Sequence, residues 1–293
     1  MTRERAVDVA HEAHADLGEG PWWDVQTGQL LWVDIFGEKV HRFDPTTGLD
    51  THLDLGQPVS MVARRREAGL VCAVRDGIAF VDFDRRSTTL AKPIEHGLPT
   101  NRMNDGACDP AGRLWVGTMA TDLSPSAGTL YRVDHDLDVT AVRRQVTVSN
   151  GLDWSPDGCR FYYTDSATRR IDVYDFDVSD GHIGNRRALV QLDDRVATPD
   201  GLTVDADGTI WVAMWDGGCL RRYRPTGELI ETVMLPVTRP TSATFGGSNL
   251  DLLFITTARH GLNADNLRTQ PHAGAILVIE TKTCGTAPYA FAG

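Results

Sequence analysis

Three stretches of this chain align with one another: NDGACDPAGRLWVGTM (104–119), NGLDWSPDGCRFYYTD (150–165) and DGLTVDADGTIWVAMW (200–215). Their turn glycines, Gly112, Gly158 and Gly208, fall at matching positions. Each stretch reads as an extended run, a tight turn and an aromatic-rich extended run. A further strand pair follows each: GTLYRVD, RIDVYDFD and CLRRYRP. EGPWWDVQTGQLLWVDI with KVHRFDP, and PTSATFGGSNLDLLFITTA with GAILVIE, follow the same plan, and VSMVARRREAGLVCAVRDG with IAFVDFD is a weaker copy. No segment has a clear helical period. The result is six units of about four strands, repeating every 41 to 50 residues. A four-stranded unit cannot bury both of its faces alone. Stacking such units around an axis buries them and leaves only short edges, which is the β-propeller. The expectation is therefore an all-β chain, a six-bladed β-propeller with four antiparallel strands per blade, in one domain spanning residues 1–293. AVDVA (6–10) is placed to pair into the last blade and close the ring. An open array of β-sandwiches is the competing architecture.

Composition enters by exclusion. The net charge of -11, with no basic run, argues against a nucleic-acid partner, whose phosphates would be repelled. No signal-like apolar segment opens the chain, and the longest apolar runs, such as AILVI, are too short to cross a bilayer. A cytoplasmic protein without a membrane partner is the expectation, and a closed ring needs no second copy, so it is expected as a monomer. The five cysteines (Cys72, Cys108, Cys159, Cys219, Cys284) form no C-x-x-C pair and are expected as small buried thiols. No histidine pair has zinc-protease spacing, and there is no G-x-S-x-G elbow, phosphate loop or dinucleotide fingerprint.

The repeat also defines a column. Asn104, Asn150 and Asp200 each lie eight residues before their turn glycine. Glu19 precedes Asp34 by fifteen residues, as Asn150 precedes Asp165, and so joins them. The other two blades place Ser60 and Thr241 or Ser242 there. If each blade's first strand is innermost, these side chains point into one mouth of the central channel. Asn and Asp before Gly are also ordinary turn formers. Four matched positions, one of them a glutamate, argue for more than turns. Two carboxylates brought together need a proton or a cation between them. Oxygen donors of this kind suit a hard divalent ion, with positions left for water or substrate. Arg102, two residues before Asn104, shares its strand face and can hold a polar or anionic oxygen. Asp122 begins the loop DLSPSAG, placed to cover the site. The seven tryptophans read as packing between blades, with one or two free to line the mouth.

The motifs GEGPWWD, RMNDGACDPAGRLWVGTM, SNGLDWSPDGCRFYYTDS, PDGLTVDADGTIWVAMW and PTSATFGGSNLDLLFITTA together run from Gly18 to Ala258. With them the chain resembles the gluconolactonase, regucalcin and senescence marker protein family of six-bladed propellers. The resemblance implies one divalent metal held by Glu19, Asn150 and Asp200, calcium first, with zinc, manganese, magnesium or iron(II) as alternatives. It implies substrate contacts from Arg102 and Asn104. Where this chain has Asp122 the family often has a glutamate, so the acid keeps its charge with about one methylene less reach.

The function that follows is metal-dependent hydrolysis of a sugar lactone to the aldonic acid, the substrate being an aldonolactone such as gluconolactone or a pentonolactone. Asp200 is the expected general base, with Arg102, Asn104 and Asp122 orienting the ring. Two competing functions use the same fold: a non-enzymatic calcium-binding regulator, and a lactonase or esterase of broader specificity.

Overall fold

The chain folds as a six-bladed β-propeller with four antiparallel strands per blade and almost no helix. The computed structural model describes residues 2–3, 5–193 and 196–293. The innermost strands are Gly18–Asp24, Val59–Arg64, Asn101–Cys108, Ser149–Trp154, Thr198–Val204 and Pro240–Gly246. Each packs against the next, and the sixth packs against the first, so the ring is closed. The innermost strand of the sixth blade pairs with Leu252–Thr257, then Ile276–Glu280, and the outermost position is filled by Asp8–His11. Closure by the N-terminal segment is thus realised, two residues further along than AVDVA. Thr2–Arg3 adds a short parallel strand to the edge of the fifth blade. A short α-helix, Ala264–Thr269, lies in the last blade's loop, and a 3-10 turn, Ser166–Thr168, follows the second strand of the fourth blade.

Burial falls from the axis outwards. Leu114–Ala120 and Pro240–Gly246 are buried along their whole length, whereas the outer strand Ser87–Pro93 is exposed for most of its length. Strands covered on both faces read as continuous apolar runs, which is why LWVGTMA and IWVAMW show no alternation. The core is not at the centre. It forms six separate apolar clusters, one at each junction between neighbouring blades. Trp32, Trp115 and Trp211 sit fully buried in these clusters. Trp23 stacks on Phe254 across the junction of the first and last blades, at 5.4 Å.

The turn acids of the repeat are structural. Asp109, fully buried, accepts hydrogen bonds from the backbone N–H of Ala111 (2.9 Å) and Arg113 (3.0 Å), from Arg113 Nε (2.6 Å) and from Trp115 Nε1 (3.0 Å). Asp205 does the same work for Thr209, Trp211 and Arg222. All five cysteines are free thiols. Cys159 and Cys284 are exposed, which corrects the expectation that all would be buried: the first follows a turn and the second lies in the C-terminal tail.

That tail, from Lys282 to Gly293, runs under the ring. Gly285 N–H donates to Leu250 O, Phe291 N–H to Arg64 O and Ala292 N–H to Gly112 O, and Arg65 Nε donates to Gly293 O. It ties the fifth and sixth blades to the second and third.

Removing a carboxylate that anchors a buried arginine and an indole leaves both uncompensated. Asp109→Ala is expected to lose about 3–5 kcal/mol in urea unfolding; a loss below about 1 kcal/mol would show the turn acid to be dispensable.

Candidate active site at the mouth of the channel

In all six innermost strands the pairing register shifts at the same level: after Glu19, Val59, Met103, Asn150, Pro199 and Pro240. Extra residues at a bulge turn side chains away from the regular pleat. The shared column is therefore a ring of bulges. The fifteen-residue spacing also has a physical cause. Asp34 accepts the backbone N–H groups of Asp16 and Leu17, and Asp165 those of Thr147 and Val148. Each acid fixes the chain just before its innermost strand, so Glu19 and Asn150 arrive in equivalent places. The glycines that follow are not turn residues. Gly20 has φ +50, and a Cβ there would stand 3.1 Å from Ser60 O in the next blade. A Cβ at Gly151 would stand 2.5 Å from Asp200 O. These glycines let adjacent innermost strands approach.

The column opens into a cavity of about 850 Å³. Glu19, Arg102, Asn104, Asn150 and Asp200 line its floor, each only 6–7% exposed. A hydrogen-bond chain fixes them. Arg102 Nη1 donates to Asn104 Oδ1 (2.6 Å), and Asn104 Nδ2 donates to Asn150 Oδ1 (3.0 Å) and Ser149 O (2.6 Å). Asn150 Nδ2 donates to Ser166 Oγ (2.9 Å), which donates to Pro199 O (2.6 Å). Both protons of the Asn104 amide are thereby engaged, so Asn104 orients Arg102 and Asn150. Ser60 and Thr241 spend their hydroxyls on neighbouring groups, Ala73 O for the first and Gly18 O and Thr256 for the second, and neither lines the cavity.

Burial and like charge dominate the electrostatics. Glu19 is held well above the usual carboxylate range by burial, then by the charges of Asp200 and Asp105. Asp200 is raised by burial and by Asp105. Burial lowers Arg102 to about 10, opposed by the charges of Glu19 and Asp200. Asp105 and Asp153, which the sequence analysis did not single out, lie further down the channel in a chamber of about 90 Å³ that Thr286–Tyr289 of the tail help to enclose. Burial raises Asp105 to about 7 and Asp153 to about 6. Asp105 shares a two-residue bulge with Asn104, between Met103 and Gly106.

Among the described residues no cluster of three or more His, Cys, Asp or Glu side chains is arranged to hold a metal ion. The donor set at the floor is of another kind: two buried carboxylates and an amide oxygen. Glu19 Oε2 accepts from Gly20 N–H (2.9 Å), and among the described residues no donor reaches its second oxygen. Such oxygens, desolvated and mutually repelling, fit a hard cation. Asp122 lies apart from them. It is exposed, accepts from Ser124 N–H (3.0 Å) and is lowered by its bonds to Ser124. Its neighbours Thr121, Leu123 and Pro125 line the cavity, while its own carboxylate closes the loop's turn. Phe36 and His260, not anticipated as site residues, also line the cavity, and Trp215 is among the tryptophans left free to line the mouth.

Residues 17–259 match the family model described as the SMP-30/gluconolactonase/LRE-like region. The chain is 39% identical to regucalcin of Oryctolagus cuniculus over 294 residues, covering 98% of each chain. Among solved structures, a luciferin-regenerating enzyme is 31% identical with a TM-score of 0.93, covering 99% of this chain and 100% of that one. A calcium-binding protein, regucalcin, from Agrobacterium tumefaciens is 28% identical with a TM-score of 0.96 and 99% coverage of both chains. No helix among the described residues is long and apolar enough to cross a membrane.

The chamber acid gives a pH test. Below its ordinary value of 3.8, Asp153 is protonated in both the folded and unfolded chain. Between there and about 6 only the folded chain keeps the proton, so its contribution to stability is lost as pH rises through that window. Asp153→Asn lacks this loss. Melting curves from pH 4 to 7 should show the variant gaining on the order of 2 kcal/mol relative to wild type; a difference that does not change with pH would contradict this assignment.

Proposed function

Because the chain belongs to the SMP-30/gluconolactonase/LRE-like family, we propose that it is a metal-dependent lactonase that opens a sugar lactone of the aldonolactone type to the aldonic acid. The observation that carries this reading is the pair of buried carboxylates, Glu19 and Asp200, facing Arg102 at the floor of a cavity of about 850 Å³. Glu19, Asn150 and Asp200 would hold the ion, calcium first by their all-oxygen character. When bound, the ion supplies Lewis-acid polarisation of the lactone carbonyl.

The chain's own groups do the remaining work. Burial strengthens Asp200 as a proton acceptor, and Asp200 takes the proton of the attacking water. The water oxygen bonds to the carbonyl carbon, the ring C–O bond breaks, and the proton passes to the departing ring oxygen. The product is a hydroxy acid. Arg102, whose guanidinium is clamped by Asn104 Oδ1 and Met103 O, donates to the oxygen on which charge develops. Ser166 holds the Asn150 amide, so one amide face stays directed by the chain of bonds from Pro199 O.

The relative from Agrobacterium tumefaciens is named as a calcium-binding protein, which favours ion binding without turnover as the second reading. The two separate in one assay. Chelator-stripped protein is given single ions (Ca²⁺, Mg²⁺, Mn²⁺, Zn²⁺, Fe²⁺) with a panel of aldonolactones, and acid release is followed. Turnover above the spontaneous rate with at least one ion is expected. Ion binding by calorimetry without turnover on any lactone selects the regulator. Asp200→Asn should reduce kcat by about 100-fold or more, and full retention would remove Asp200 from its role. Glu19→Gln should weaken ion binding by about tenfold or more, given the loss of one of two carboxylates; an unchanged affinity would exclude Glu19 as a ligand.

A further inference from the structure

The walls above the polar floor differ from it. Ile35, Phe36, Met119, Leu123, Pro125 and Trp215 line them, Phe36 and Leu123 at the exposed mouth. Phe36 is 40% and Leu123 57% exposed, a high exposure for large apolar side chains. Phe36 stands over the Arg102 guanidinium at 5.6 Å and against the His260 ring at 4.7 Å, so it forms the lip directly above the floor. Leu123 adopts φ 61, a left-handed conformation that a leucine rarely takes. The loop holds it there: Leu123 N–H donates to Ala120 O, Ser124 N–H to Asp122 Oδ1 and Ser126 N–H to Thr147 Oγ1.

The polar groups of the wall are mostly occupied already. Thr121 Oγ1 donates to Thr100 O, Thr147 Oγ1 accepts from Ser126, Ser166 Oγ donates to Pro199 O and His260 Nδ1 meets Asp16. Asp122 is turned onto its own loop. Ring oxygens therefore find their partners at the floor, and the walls above it offer few more to a substituent. A cavity of about 850 Å³ also exceeds what a bare six-membered lactone ring fills and is of the size that encloses a drug-sized molecule.

Resting on the lactonase reading, we propose that the mouth is an apolar subsite, and that the site takes lactones whose ring carries an alkyl substituent, with the carbonyl on the floor and the hydrocarbon against Phe36, Leu123 and Trp215. Burying such a chain lowers the barrier through remote binding.

The test compares kcat/KM for δ-valerolactone, δ-decalactone (the same ring with a five-carbon chain) and δ-gluconolactone, using the ion that supports turnover. The expected ratio of δ-decalactone to δ-valerolactone is about tenfold or more in wild type. In Phe36→Ala and in Leu123→Asn that ratio should fall by about fivefold or more; asparagine tolerates the left-handed backbone at 123, so that variant keeps the loop. A wild-type ratio near one, with ring opening intact, overturns the subsite and leaves the lactonase reading standing. A high ratio unmoved by both substitutions overturns the placement at the mouth. No ring opening of any lactone with any ion overturns both.

Discussion

Apolar packing between neighbouring blades is the interaction on which everything else in this molecule rests. Each four-stranded sheet has two faces to cover, and only another blade can cover them. The six clusters between blades accordingly hold the buried tryptophans, phenylalanines and aliphatic side chains. Packing of this kind places no side chains on the axis. It brings six innermost strands to one ring, so that whatever those strands carry at one level meets there. The last junction is made by a strand from the other end of the chain, Asp8–His11, so the ring is complete only when both ends of the sequence are folded.

The axis inherits a polar lining by this route, and the lining is held under electrostatic stress. Glu19, Asp105, Asp153 and Asp200 are all raised by burial, and Arg102 is lowered by it. Carboxylates in ordinary surface positions would relax by solvation. These are carried by the innermost strands around the channel, beside an amide chain that runs from Arg102 to Ser166. A site of this kind gains from any cation that neutralises it, and its apolar walls confine the field to the floor.

Much of this was legible in the sequence because a propeller repeats its errors as well as its rules. The column of Glu19, Asn104, Asn150 and Asp200 could be found by counting from glycines and from Asp34 and Asp165, since those acids fix the backbone ahead of the innermost strands. The blade plan and the closing strand followed from the same count. Other features left no trace of that kind. Asp122 sits in a loop of suggestive position, yet the direction of its carboxylate depends on the local turn with Ser124. Phe36, Leu123 and Trp215 lie in different blades and come together only through closure. Asp105 stands in a bulge and Asp153 in regular strand pairing, and both reach the inner chamber only in the folded ring.

The C-terminal tail beneath the ring has a consequence for traffic. It lies across the end of the channel opposite the cavity, bonded to blades on both sides. A propeller open at both ends could pass a molecule straight through. Here the tail narrows the far end to a chamber of about 90 Å³, so an occupant of the wider cavity comes and goes by a single threshold, the mouth.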